Sequence, residues 1–272
     1  MTLAPVPHVP RLQAEAVEAE NRSGRTVPVA MWCRDSVALQ SCQYMVKLWS
    51  SVELQTRSLA RELFAALLAA VLRLQVPKAA VVEISANLHR SVPNPELGKR
   101  LRSSIGANFG SEIVTPAVIY RSLDQNHIEQ AVDVFAFDML LQNPDRRRDK
   151  PNMFQNGNGL IVFDHEMAFP YADPRMMLGI KVRPWDIARG TPWVTNHILH
   201  APLQRQAQSV TFGSFINRLN ALSDDILSEI LSRIPPEWIT ANPPEMDNIC
   251  EFIREGRDNS ARFERSLLEV IA

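Results

Sequence analysis

Asn143 to Glu166 reads NPDRRRDKPNMFQNGNGLIVFDHE and follows directly on a helical pattern of apolar residues at Ile128, Val132, Phe135, Met139 and Leu140. Proline cannot continue a helix, so the pattern predicts a helix that ends at Asn143-Pro144 and delivers Asp145 to a polar loop. Asn152 follows seven residues later. The QNGNG turn signal then predicts a hairpin with strands at Met153-Phe154 and Leu160 to Phe163, which sets Asn152 and Asp164 at neighbouring ends of paired strands. On their own these residues read equally as a solvated helix-to-strand connection, because Asp and Asn are ordinary turn residues.

The order helix, Asp/Asn loop, strand ending in Asp also suits phosphoryl transfer. That chemistry needs one carboxylate to orient or deprotonate an acceptor hydroxyl, and hard oxygen ligands to hold Mg²⁺ against phosphates. Asp145 suits the first role and Asp164 the second, while Asn152 adds a neutral oxygen.

FDMLLQNPDRRRDKPNMF followed by LIVFDHEMAF resembles the HipA-like kinase families, bacterial proteins with a protein-kinase-like fold, and within them a short branch lacking a larger N-terminal extension. The resemblance continues in GRTVPVAMWC at Gly24 to Cys33, YMVKLW at Tyr44 to Trp49, and the helix containing Arg61-Glu62-Leu63. LQVPKAAVVEI at Leu74 to Ile84 and NFGSE at Asn108 to Glu112 complete it, so that it covers roughly residues 22 to 170 in one order. It implies an α+β, two-lobed, protein-kinase-like fold with a small antiparallel sheet in the N-terminal lobe and a mainly helical C-terminal lobe. ATP and Mg²⁺ are then expected between the lobes, with Lys47 on the phosphates, Glu62 orienting Lys47, Asp145 as base, and Asn152 and Asp164 on metal. The implied acceptor is a Ser or Thr hydroxyl of a protein; small-molecule phosphorylation is a further reading, since such lobes host both.

One position departs from the pattern. The short branch reads NPN where this chain has Lys150-Pro151-Asn152, so a cation replaces the first Asn. Either Asn152 takes over on the metal, or Lys150 itself neutralises phosphate charge, or the protein is a pseudokinase that only binds nucleotide or another protein.

The remaining composition narrows the field. The chain has 272 residues, 46% hydrophobic content and a formal net charge of −1. It is therefore long enough for a sizeable core and carries no electrostatic footprint for nucleic acid or an anionic membrane. Its longest apolar run, Leu63 to Leu72, falls far short of the roughly 20 residues of a membrane span. No secretory signal opens the sequence, and Cys33, Cys42 and Cys250 form no CxxC pair, which suits a reducing cytoplasm. The expected partners are a nucleotide and an unidentified protein.

In chain order, residues 1–21 are expected to be a flexible segment: a proline-rich lead-in, then an acidic, Ala-rich stretch from Arg11 to Glu20 whose composition also suits a helix. Residues 22–122 are expected to form the sheet-containing lobe and residues 123–272 the helical one. Thr26 to Cys33, Tyr44 to Trp49 and Ala79 to Ile84 read as strands, and Gln55 to Leu74 is the clearest helix. In the second strand Lys47 shares a face with Met45 and opposes Val46 and Leu48, which also fits a solvated strand lysine. His89 to Glu112, rich in Ser, Asn, Pro and Gly, reads as a loop-rich insertion or a flap. Arg146-Arg147-Arg148 reads as a solvated patch, or as the source of a loop anchor or phosphate contact, and Glu166 as a further acidic group. His197 and His200 have the spacing of paired metal ligands but no third partner nearby, which favours a structural role. From Pro174 onward helices are expected, among them Ser223 to Pro235, Met246 to Glu255 and Ser260 to Ile271.

Overall fold

β-structure dominates the first part of the chain. In the computed structural model, which describes residues 2–21, 26–170, 182–240 and 243–272, β1 (Arg11–Glu20), β2 (Val29–Asp35) and β3 (Ser41–Lys47) come first. Helix α1 (Thr56–Val71) follows, then β4 (Ala79–Ile84), α2 (Pro95–Ser103) and β5 (Gly106–Glu112). The five strands close into a barrel in the order β1-β2-β3-β5-β4, with β1 and β4 parallel at the seam and the other neighbours antiparallel. Positions 24–25, which open the GRTVPVAMWC motif, lie outside the described residues.

Side chains alternate across these strands. Val29, Met31, Tyr44, Val46, Val82 and Ile84 point into the barrel, whose small core also takes Leu97 and Leu101 of α2. Val81 and Phe109 face the other way and join the large core around α1. Helix α1 is apolar on almost every side and correspondingly buried. Its residues share one core with the C-terminal helices.

Three expectations change here. Arg11–Glu20 is a strand, although its Ala and Glu content favours a helix: Leu12 and Ala14 alternate with exposed Gln13 and Glu15, and pairing with β2 and β4 overrides propensity. The proline-rich lead-in lies along the core, with Leu3, Val6 and Val9 packed against it and the Ala4 amide donating to the Val71 carbonyl at 3.0 Å. The described residues 2–21 are thus packed onto the fold. His89 to Glu112 is neither insertion nor flap: Asn94 caps α2 by accepting from the Glu96 and Leu97 amides, Pro95 occupies the first turn, and the NFGSE motif is strand β5.

The second part begins with β6 (Val118–Ile119) and α3 (Ile128–Leu141). Strands β7 (Met153–Asn156) and β8 (Gly159–Val162) form the expected hairpin, and β6 adds to it in the order β6-β7-β8. Helices α4 (Pro192–Thr195), α5 (His200–Gln204), α6 (Gly213–Asn220), α7 (Asp224–Ser232), α8 (Pro236–Ile239), α9 (Pro243–Asp258) and α10 (Ser260–Ile271) complete the chain. Residues 174–181, where the helical region was expected to begin, lie outside the described residues. Among the described residues no helix is long and apolar enough to cross a membrane. The protein therefore has a sheet-rich N-terminal region and a helical C-terminal region, joined by the core and by specific bonds: Arg57 and Arg61 of α1 reach Glu245 of α9 at 2.5 Å, and the Trp238 indole donates to the Ala107 carbonyl at 3.2 Å.

Gly110 shows how tightly the barrel is filled, since a Cβ there would stand 2.6 Å from a Val82 methyl and 3.3 Å from the Tyr44 ring. Gly110→Ala is expected to destabilise the protein by about 1–3 kcal/mol through overpacking. Chemical denaturation measures this directly, and an unchanged midpoint would contradict the close approach.

Candidate functional site

The site grows from the end of α3. Gln142 ends the helix in the left-handed conformation at φ 51°. The Asn143 side chain donates to Asp138 at 2.9 Å and accepts from the Asp145 amide at 3.1 Å, which fixes the start of the loop.

Arg146 holds the loop from beneath. Its guanidinium is wholly buried and pairs with Asp138, donates to the backbone carbonyls of Asn152 and Phe163, and contacts His165 Nε2 at 3.0 Å. The same Asp138 meets His197 Nε2 at 2.9 Å. Burial works against the Asp138 charge, but Arg146 and His197 together hold its carboxyl well below the usual range. Burial pushes His165 down to about 3, so its ring is neutral; with Nε2 accepting from Arg146, the proton sits on Nδ1, 3.9 Å from Glu62. His197 and His200 are structural: the one serves Asp138, the other meets the Val270 carbonyl at 2.9 Å.

Above this support the expected residues converge. Lys47, on the outer face of β3, lies 3.0 Å from Glu62 of α1, 2.5 Å from Asp164 and 3.2 Å from Glu166. The solvated-lysine reading is thereby excluded, because Lys47 is 8% exposed. Burial disfavours its charge, but the surrounding carboxylates of Asp164, Glu62 and Glu166 hold its pKa well above the ordinary value. Glu62 is pushed up to about 7 by burial, against the opposing pull of Lys47. Asp164 is held well below the carboxylate range by Lys47 and Lys150 despite its burial.

Lys150 bridges the two aspartates, 2.5 Å from Asp145 Oδ2 and 3.0 Å from Asp164 Oδ2. Asn152 donates to Asp145 through Nδ2 at 3.1 Å, which turns its side-chain oxygen away as an available ligand. Asn152 and Asp164 both adopt positive φ, 46° and 62°, a conformation that Asn and Asp tolerate better than other side chains and that recurs where a site dictates direction. Of the three arginines, only Arg146 is the anchor. Arg147 pairs with Asp149 at 3.0 Å and Asp145 at 3.2 Å, and Arg148 is exposed.

Two ammonium groups, Lys47 and Lys150, thus face four carboxylates, Glu62, Asp145, Asp164 and Glu166. Excess negative charge repels bare phosphate and favours a hard cation beside it. Among the described residues there is no cluster of three or more His, Cys, Asp or Glu side chains disposed to hold a metal by themselves. Mg²⁺ needs only one or two carboxylates alongside substrate phosphates, and Asp164 and Asn152 are oxygen-bearing side chains of that chemistry.

The family model described as HipA-like kinase matches residues 16–177, more than half of the chain. The protein belongs to the HipA-like kinase family, and at that level its function is kinase-like. The match runs from within β1 to beyond the Asp164 turn and so includes Lys47, Glu62, Asp145, Lys150, Asn152 and Asp164. Comparison with curated proteins gives no match.

Sequence reading missed Asp138. Its signal was a lone carboxylate within the apolar run Val134 to Leu141. Asp138→Asn leaves Arg146 buried without its counter-charge, and is expected to cost about 3–5 kcal/mol at neutral pH. The folded carboxyl takes up its proton at lower pH than the unfolded one, so the unfolded state protonates first on acidification and this contribution fades. The gap between variant and wild type should therefore narrow below about pH 4. Urea midpoints across that range test this, and a constant gap would contradict the ion-pair account.

Proposed function

We propose that the protein is an ATP-dependent phosphotransferase acting on a hydroxyl, with Ser or Thr of a protein as acceptor. The observation that carries the reading is the convergence of Lys47, Glu62, Asp145, Lys150, Asn152 and Asp164 on one cluster from four separate parts of the chain. Lys47, oriented by Glu62, holds the α- and β-phosphates. A point cation on a flexible stem suits that task. Asp145 accepts the proton of the attacking hydroxyl, and the Asn143 cap and Arg146 keep its loop in place. Asp164 and Asn152 hold Mg²⁺, which when bound offsets the charge of the phosphates. Lys150, with its side chain 35% exposed, moves from the two aspartates onto the transferred phosphoryl group.

A second reading rests on the same lysine. While Lys150 stays on Asp145, that carboxylate is occupied by the ammonium group and not open to an attacking hydroxyl, which favours a pseudokinase that binds nucleotide or a protein partner.

Transfer of labelled γ-phosphate to a bacterial protein extract separates the two. Asp145→Ala is expected to lower the rate by about a hundredfold to ten-thousandfold, the usual range for a general base. Equal activity in that variant would remove Asp145 from the mechanism. Lys150→Asn is expected to lower transfer as well, and a gain would favour the pseudokinase.

A further inference from the structure

A concave site lies against the Asp145 loop, which lines it through Arg148 and Pro151. It is an open cavity of about 730 Å³ whose walls include Arg121, Arg148, Arg205, Tyr120, Pro151 and Ile198. Three arginines line it and no Asp or Glu does. Among the described residues none of the three arginines has a side-chain hydrogen bond or ion pair, and all three are exposed. In a chain with a net charge of −1, this is a local concentration of unpaired positive charge. Tyr120, which also borders the cavity, is 2% exposed and belongs to the hydrophobic core beneath it.

The cavity is joined to the candidate active site through the backbone. Arg148 stands three residues after Asp145, and the Ile198 amide donates to the Arg146 carbonyl at 3.0 Å. Beside it, edge strand β6 exposes Val118 and Ile119. An extended segment that carries both carboxylates and apolar side chains fits this surface: guanidinium forks take the carboxylates, and the apolar edge takes the rest.

We propose that this arginine-lined cavity binds an acidic segment of a partner protein and thereby presents that partner to Asp145. The role as acceptor rests on the phosphotransfer reading above, whereas the binding site itself does not. Arg148 belongs to the active-site loop, so the test uses Arg121 and Arg205.

Fluorescence anisotropy with a labelled oligoglutamate peptide is the direct probe, with an oligolysine peptide and vesicles of anionic phospholipid as comparisons. The double variant Arg121→Gln/Arg205→Gln should bind oligoglutamate about tenfold or more weakly than wild type, while its affinity for a non-hydrolysable ATP analogue stays unchanged. Both substitutions are at exposed positions, and the nucleotide titration reports on the neighbouring site independently. Oligoglutamate binding that survives the double substitution, or equal binding of oligolysine, overturns the proposal. Tighter binding to anionic vesicles than to peptide assigns the cavity to lipid headgroups and overturns it too. Loss of peptide binding in the variant supports the proposal whether or not the wild type transfers phosphate.

Discussion

Arg146 is the point on which the site depends. A guanidinium with no exposed surface ties the end of α3, through Asp138, to the carbonyls of Asn152 and Phe163, which flank the β7-β8 hairpin. Three chain segments that carry the candidate functional groups are thereby fixed to one planar cation. Such a group is stable in the interior only while its hydrogen-bonding capacity is met, and here the backbone of the site itself meets it. Stability and geometry are consequently coupled: any change that frees Arg146 also releases Asp145, Asn152 and Asp164.

Above that anchor the governing constraint is charge. Lys47 and Lys150 are outnumbered by the carboxylates they touch, and Asp164 stays ionised because both ammonium groups face it. Glu62 carries part of the imbalance in a carboxyl pushed up to about 7. A cluster poised in this way gains from a ligand that brings cations with its phosphates. Lys150 places a positive charge between Asp145 and Asp164.

Much of this was legible in the sequence, for identifiable reasons. Asp145, Asn152 and Asp164 stood out because Pro144 and the QNGNG turn fix where helix, loop and hairpin begin and end. Lys47 and Glu62 needed the family resemblance, since strand alternation places Lys47 on a face without saying what that face meets. The first barrel strand was hidden because Ala and Glu between Arg11 and Glu20 have helical propensity, and only the pairing partners reveal a period of two. Residues 89–112 looked like loop because the Asn94-Pro95 capping signal was outweighed by the surrounding Ser and Gly. Asp138 and Arg146 were obscured for a different reason: a buried ion pair joining a helix to the following loop has no sequence spacing of its own.

The most direct test of the central claim, that the lysine-carboxylate cluster is a nucleotide-phosphate site, is calorimetric titration with a non-hydrolysable ATP analogue, with and without Mg²⁺. Wild type and Asp164→Ala should be compared. Binding that depends on Mg²⁺ and is lost in the variant is the expected result. A well-folded wild type that binds no nucleotide under either condition would contradict the account.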